Sequence, residues 1–171
     1  MNVVFRGTTK DRSGVDKVLS NLMGDSQNYS LVAAILTSIS ELLDNVYEHA
    51  VASVSKDVNW KLEIESKSSE VHISVIDDGC GIPTNISQKC QEELDDSSAI
   101  KLAIGYSTGN GRGLGLFSIQ SRVKNKQFES LEISSLNGRY RLSNQGEETL
   151  SSTEFVQGTE VRFVLREDST K

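Results

Sequence analysis

Glu41, Asn45 and Glu48 stand four and three residues apart in a stretch whose apolar residues recur with helical spacing. At about 3.6 residues per turn the three fall within roughly 60° of arc, on a polar stripe beside the apolar face. Asn gains nothing mid-helix on a plain surface, where its side chain competes for backbone hydrogen bonds. At a core edge it can hold a hydrated Mg²⁺, which prefers oxygen ligands. The Glu one turn before it can receive a proton in a transfer reaction. A solvated flank is the plain alternative. His49 reads as a neighbour, exposed or hydrogen-bonded, since no Ser or Cys nucleophile motif accompanies it.

A second chemical residue is Asp77. Val71, Ile73 and Val75 alternate with His72, Ser74 and Ile76, and continuing the alternation puts Asp77 on the apolar side. A carboxylate on that side is costly unless something pairs with it. Asp78-Gly79-Cys80-Gly81 follows, a turn in which backbone can come close to a ligand. A turn-forming Asp at an early strand end is the alternative. Thr159, directly after Gly158, shares the inner parity of Val161, Phe163 and Leu165, so a second small polar group reaches a strand end on the inner face.

The third feature is the stretch Gly105–Ile119, GYSTGNGRGLGLFSI, which holds five of the thirteen glycines. A periodic apolar run (Leu114, Leu116, Phe117, Ile119, Val123) starts inside it and marks a helix. A helix opening behind such glycines offers unpaired N–H groups and the positive end of its dipole, which suits phosphate. A flexible loop before a helix is the competing reading. The P-loop spelling is absent because no Lys follows the glycines, and the dinucleotide spacing fails because its third position falls on Leu114, Leu116 or Ser118. Lys101 and Arg112 are the basic groups nearest the cluster, able to meet phosphates or simply to stay exposed.

The elements that must position these groups follow from the same patterns. Asn2–Arg6 predicts a strand and Val15–Met23 a short helix. Cap-type residues from Asn28 to Ser30 precede a long helix from Leu31 to about Val54, with Leu31, Ile35, Ile39, Leu42, Leu43, Val46 and Ala50 on its buried face. Val58–Glu65 and Val71–Asp77 predict two strands joined at Lys67–Ser69. Pro83–Thr108 lacks a strong period, with short helical pieces at Gln88–Leu94 and Ala99–Ile104. Phe128–Ser134, Arg139–Leu142 and Glu148–Phe155 predict three antiparallel strands with turns at Asn137-Gly138 and Asn144–Gly146, and Thr159–Arg166 a last one.

Composition sets the bounds. A chain of 171 residues with 36% hydrophobic and 25% charged residues is most simply one globular domain. A net charge of −6 argues against nucleic-acid binding through a basic surface. No apolar run approaches a membrane span and the N-terminus has no signal-peptide core. Cys80 and Cys90 form neither a metal spacing nor a disulfide framework, so a cytoplasmic protein with free thiols is expected.

Four motifs in order, ELLDN (Glu41–Asn45), DDGCG (Asp77–Gly81), GRGLGL (Gly111–Leu116) and GT (Gly158-Thr159), make the chain resemble the GHKL-type ATP-binding domains. That superfamily takes in gyrase, the large heat-shock chaperones, mismatch-repair ATPases, histidine kinases and anti-sigma-factor serine kinases. The resemblance implies a Bergerat-type α+β fold, a two-layer α/β sandwich with helices on one face of a mixed, mainly antiparallel sheet. It implies a single domain over 1–171, with 1–29 an N-terminal strand and helix and 83–112 the ATP lid.

The resemblance also implies ATP and Mg²⁺ as cofactors. Asp77 would accept from the adenine amine, with Thr159, Gly79, Gly81 and Ile82 completing the base pocket. Asn45 would hold the metal and Glu41 would be the general base. Gly111, Arg112, Gly113, Leu114, Gly115, Leu116 and Lys101 would meet the nucleotide, and His49 would fall inside its site. A stand-alone domain is expected, since the chain leaves no room for a transducer domain and about thirty residues before Leu31 are too few for a phosphoacceptor hairpin, and Glu48 stands where many histidine kinases carry a basic phosphate contact. A stand-alone protein kinase of the anti-sigma-factor serine-kinase kind, or an ATPase, is the expected activity. A catalytic half of a histidine kinase system working on a separate partner and a non-hydrolysing nucleotide-gated binding module are the alternatives. The expected partners are ATP or ADP and a regulatory protein, with homodimerisation open.

Overall fold

The computed structural model describes residues 2–15, 29–50, 57–106 and 114–166. Five strands, β1 (Asn2–Thr8), β2 (Asn59–Lys67), β3 (Glu70–Asp77), β4 (Ser130–Ser143) and β5 (Gly146–Arg166), form one sheet in the order β1-β2-β3-β5-β4. Every pairing is antiparallel, so the expected two-layer α+β sandwich is present, with no parallel pair among the described strands. Four helices with both ends among the described residues accompany it: α1 (Tyr29–His49), α2 (Ile82–Cys90), α3 (Asp96–Gly105) and α4 (Gly115–Lys124). The alternation read from β2 and β3 buries Trp60, Leu62, Ile64, Ile73 and Val75 in one core with Ile39, Leu42, Leu43 and Val46 of α1. Ile100 and Ile104 of α3 and Ile119 and Val123 of α4 join that core. The opposite face of the sheet carries cross-strand polar contacts such as Arg162 Nε donating to Ser74 Oγ (3.1 Å).

Three expectations change. The aperiodic stretch after Pro83 is two helices. Pro83 stands in the first turn of α2, where its fixed φ suits a helix start, and the left-handed Gln91 (φ 53°) ends that helix. The piece expected at Gln88–Leu94 is therefore shifted towards the N-terminus. Asp95 caps α3 by accepting from the N–H groups of Ser97 (3.1 Å) and Ser98 (3.0 Å). The other expected piece, Ala99–Ile104, lies inside α3 and is buried against β4.

Asn137-Gly138 is not a hairpin turn but an irregularity within a continuous β4. Asp96 accepts from the Asn137 N–H (2.9 Å), and an added Cβ at Gly138 would lie 2.7 Å from the Asp96 carbonyl, so α3 sits hard against the strand there. The two strands expected at Glu148–Phe155 and Thr159–Arg166 likewise run on as β5 through Gly158, at φ 75°. The hairpin turn at residues 144–145 stands where it was expected.

Helix α1 ends at His49, and residues 51–56 lie outside the described residues. Its terminal carbonyls find partners in the turn after β3 and in α2: Cys80 N–H donates to Ala50 O (2.9 Å), and Asn85 Nδ2 donates to His49 O (3.1 Å). Of the helix expected at Val15–Met23 only the start is described, with residues 13–15 helical, and Asn28 is outside.

Candidate functional site

Asp77 is the last residue of β3, paired with Trp60 of β2 and Thr159 of β5, and is only 7% exposed. Burial, the largest influence, pushes its carboxyl up from 3.8 to about 6. The Gly79 N–H, donating at 2.8 Å, works against that rise, the charge of Asp78 adds to it, and the Thr159 N–H opposes it. Such a group is a costly acceptor that becomes worthwhile when a ligand donor pairs with it.

Its carboxylate opens onto a cleft of about 820 Å³, open mouth included, between α1, α2, α4 and the sheet. Leu42, Val46, Val75, Ile86 and Val161 supply apolar walls, while Asn45, Asp77, Asn85 and Thr159 supply polar groups. A flat, mostly apolar ligand with a few polar edges fits such a lining.

The turn that shapes the mouth explains its glycines. A Cβ on Gly79 would lie 2.5 Å from Ala50 O, so only Gly lets this turn close over the end of α1. Gly81 sits at φ 83° with Ser135 Oγ directly beneath it, and Ile82 N–H donates to that hydroxyl (2.9 Å). Ser135, fully buried, donates in turn to Gly158 O (2.7 Å) and lies 3.2 Å from Thr159 Oγ1. A small hydroxyl network thus braces the deep end of the cleft.

At the other end, α4 starts against α1. An added Cβ at Gly115 would stand 2.9 Å from Glu41 Cβ, 3.2 Å from Glu41 Oε2 and 3.5 Å from Asn45 Nδ2. The α4 N-terminus has no side-chain cap and no acidic residue in its first turn, and Gly115 sets it beside the Glu41–Asn45 stripe. Asn45 lines the cleft; Glu41, one turn back, lies beside it at the α4 contact. Among the described residues no three His, Cys, Asp or Glu side chains cluster as a metal cage. One amide oxygen beside a carboxylate fits Mg²⁺, which keeps water and substrate oxygens as its other ligands.

The structure therefore brings Asn45, Asp77, Gly81, Ile82, Leu116 and Thr159 onto one cleft. Gly79 and Gly115 shape it without lining it, and Leu114 is the 41% exposed residue preceding α4. Gly111, Arg112 and Gly113 lie outside the described residues. Lys101 does not line the cleft; its ammonium stands 3.5 Å from Glu147, on the exposed side of α3. Sequence reading passed over Asn85, Lys89, Tyr106 and Ser135. The first two stand at helical spacing on the side of α2 that borders the cleft, with Lys89 exposed at its rim, a pattern the weak periodicity of that stretch does not reveal.

Residues 30–169 match a family model described as histidine kinase-, DNA gyrase B-, and HSP90-like ATPase. Comparison with curated proteins returns no match. Among solved structures, the histidine kinase domain from Erythrobacter litoralis EL346 blue-light activated histidine kinase is similar at 17% identity, with a TM-score of 0.53. The match covers 92% of this chain and 65% of that one, and at such identity the likeness is one of fold.

Proposed function

The chain belongs to the family of histidine kinase-, DNA gyrase B- and HSP90-like ATPases, and from that premise we propose that it binds ATP with Mg²⁺ and acts as a regulatory protein kinase of the anti-sigma-factor serine-kinase kind, or as an ATPase. One observation carries the reading: a buried carboxylate, Asp77, and the amide of Asn45 line the same cleft, with the N-terminus of α4 against the Asn45 side.

Asp77 accepts from the exocyclic amine of adenine, which repays its burial. Thr159 Oγ1, held by Ser135, and the backbone at Gly81 complete the recognition of the base edge. Ile82, Val46 and Leu116 cover its faces. Asn45 offers its amide oxygen to the metal, and the N–H groups opening α4 at Gly115 face the phosphates. When bound, Mg²⁺ neutralises charge on the triphosphate and orients its terminal phosphoryl group. Glu41, next to Asn45 and Gly115, takes the proton from the attacking hydroxyl or water. Gly111, Arg112 and Gly113 stay in the proposal on their motif alone. A cytoplasmic setting belongs to the same reading, supported by Cys80 and Cys90 standing in no disulfide; among the described residues no helix is long and apolar enough to cross a membrane.

The test is incubation of native protein and Glu41→Ala with labelled ATP and Mg²⁺. Both should bind, and only the native chain should release phosphate or pass label to Ser on a protein acceptor. Binding without turnover in either would establish a nucleotide-gated module instead. Label arriving on a partner's His would establish transfer within a histidine kinase system.

A further inference from the structure

Helix α2 presents Asn85, Ile86 and Lys89 to the cleft from one face, since residues three and four apart fall on the same side of a helix. Lys89 is the only lysine or arginine among the described residues that line it. Its ammonium takes part in none of the ion pairs among the described residues. Across from it on α1 stands His49, held neutral at pH 7 because burial first and the charge of Lys89 second lower its pKa. Glu48 lies 3.8 Å from that imidazole, and its charge works against the lowering. Lys89 is exposed, so the rim of the cleft carries one positive charge with no ion-pair partner among the described residues, on a chain whose net charge is −6.

Its place along the cleft is informative. Ile82, at the start of α2, lines the end where Asp77, Gly81 and Thr159 gather. Lys89 comes seven residues later, about 10 Å further along the helix axis. That is the distance from a purine to the outer phosphates of its tail.

We propose that Lys89 is a polyphosphate contact that makes the site prefer nucleoside di- and triphosphates over the nucleoside. The assignment rests on the nucleotide reading above. A lysine in the last turn of a helix also stabilises the helix dipole, but that role would affect melting alone and would not depend on what the ligand carries.

Titration calorimetry of the full chain with adenosine, ADP and ATP separates these roles in native protein, Lys89→Met and Lys89→Arg. Lys89→Met keeps the apolar stem, so adenosine affinity should stay within about twofold while ATP affinity falls about tenfold, the value of one charge-assisted contact. ATP binding to Lys89→Met should also weaken less as salt rises, and Lys89→Arg should restore most of the loss. Equal losses for adenosine and ATP, or none for either, would overturn the assignment while leaving the nucleotide site standing. Native protein that takes up neither would remove the nucleotide reading and Lys89 with it.

Discussion

At the scale of single residues, the burial of Asp77 ties folding to pH. Its carboxyl titrates at 3.8 when unfolded and at about 6 when folded, so between those values the folded chain holds more protons. Folding stability therefore falls as pH climbs through that window and stays lowered above it, by up to about 3 kcal/mol for this group. Asp77→Asn should raise the ligand-free melting temperature at pH 7, with the gain disappearing as pH approaches about 4; no difference between the two proteins at pH 7 would contradict a strained carboxylate. The same substitution should weaken adenine nucleotide binding by roughly 1–3 kcal/mol, because a buried donor loses its charged acceptor. In native protein nucleotide affinity should rise as pH passes 6 and the carboxylate ionises, with proton release visible as calorimetric heats that depend on the buffer. Asp77 could be found from the chain alone because a strand's side chains alternate: an acid on the apolar parity is out of place, and parity survives folding. Lys101 was misplaced because nearness to the glycine cluster along the chain says nothing of which side of α3 faces Glu147.

Helices and strands meet the site through close backbone contacts. Gly158, at φ 75°, brings β5 so near β3 that an added Cβ would lie 2.1 Å from Asp77 O. Gly158→Ala should cost upwards of about 2 kcal/mol in denaturant unfolding and weaken nucleotide binding, since the strand must move away from Asp77; a variant of native stability and affinity would mean the strands are not in contact there. Asp95→Ala should lower the midpoint of denaturant unfolding as α3 loses its cap, without altering nucleotide affinity. Helix α1 was legible because its apolar stripe repeats for several turns. Helices α2 and α3 were not, because they are short, begin at Ile82 and Asp96, and take their stability from packing on each other and on β4. Asn137-Gly138 has the chemistry of a hairpin, yet Asp96 takes up its N–H and the strand continues.

For the whole molecule, a ligand that binds only the folded state must raise its melting point, and nucleotide with Mg²⁺ at 100 times its Kd should add about 2.7 kcal/mol. A melting temperature unmoved by saturating ATP or ADP would count against the site as a whole. The sandwich itself places the cleft: α1 lies across the sheet, and the turn closing β3 and the helix after it cap the end of α1 through Cys80 and Asn85, so the acid from the sheet and the amide from the helix share one cleft.

By itself the amino-acid order determined what repeats or alternates: the two-layer class, the buried parity of Asp77 and Thr159, the Glu41–Asn45 stripe and the glycine motifs in their order. Tertiary structure alone decided which side chains share the cleft. It set Lys89 at the rim, turned Lys101 away, joined the late strands into two long ones and seated Gly115 on Glu41. Periodicity records which face of an element is buried; which elements supply the other walls depends on contacts between residues far apart in the chain, and those form only when the layers pack.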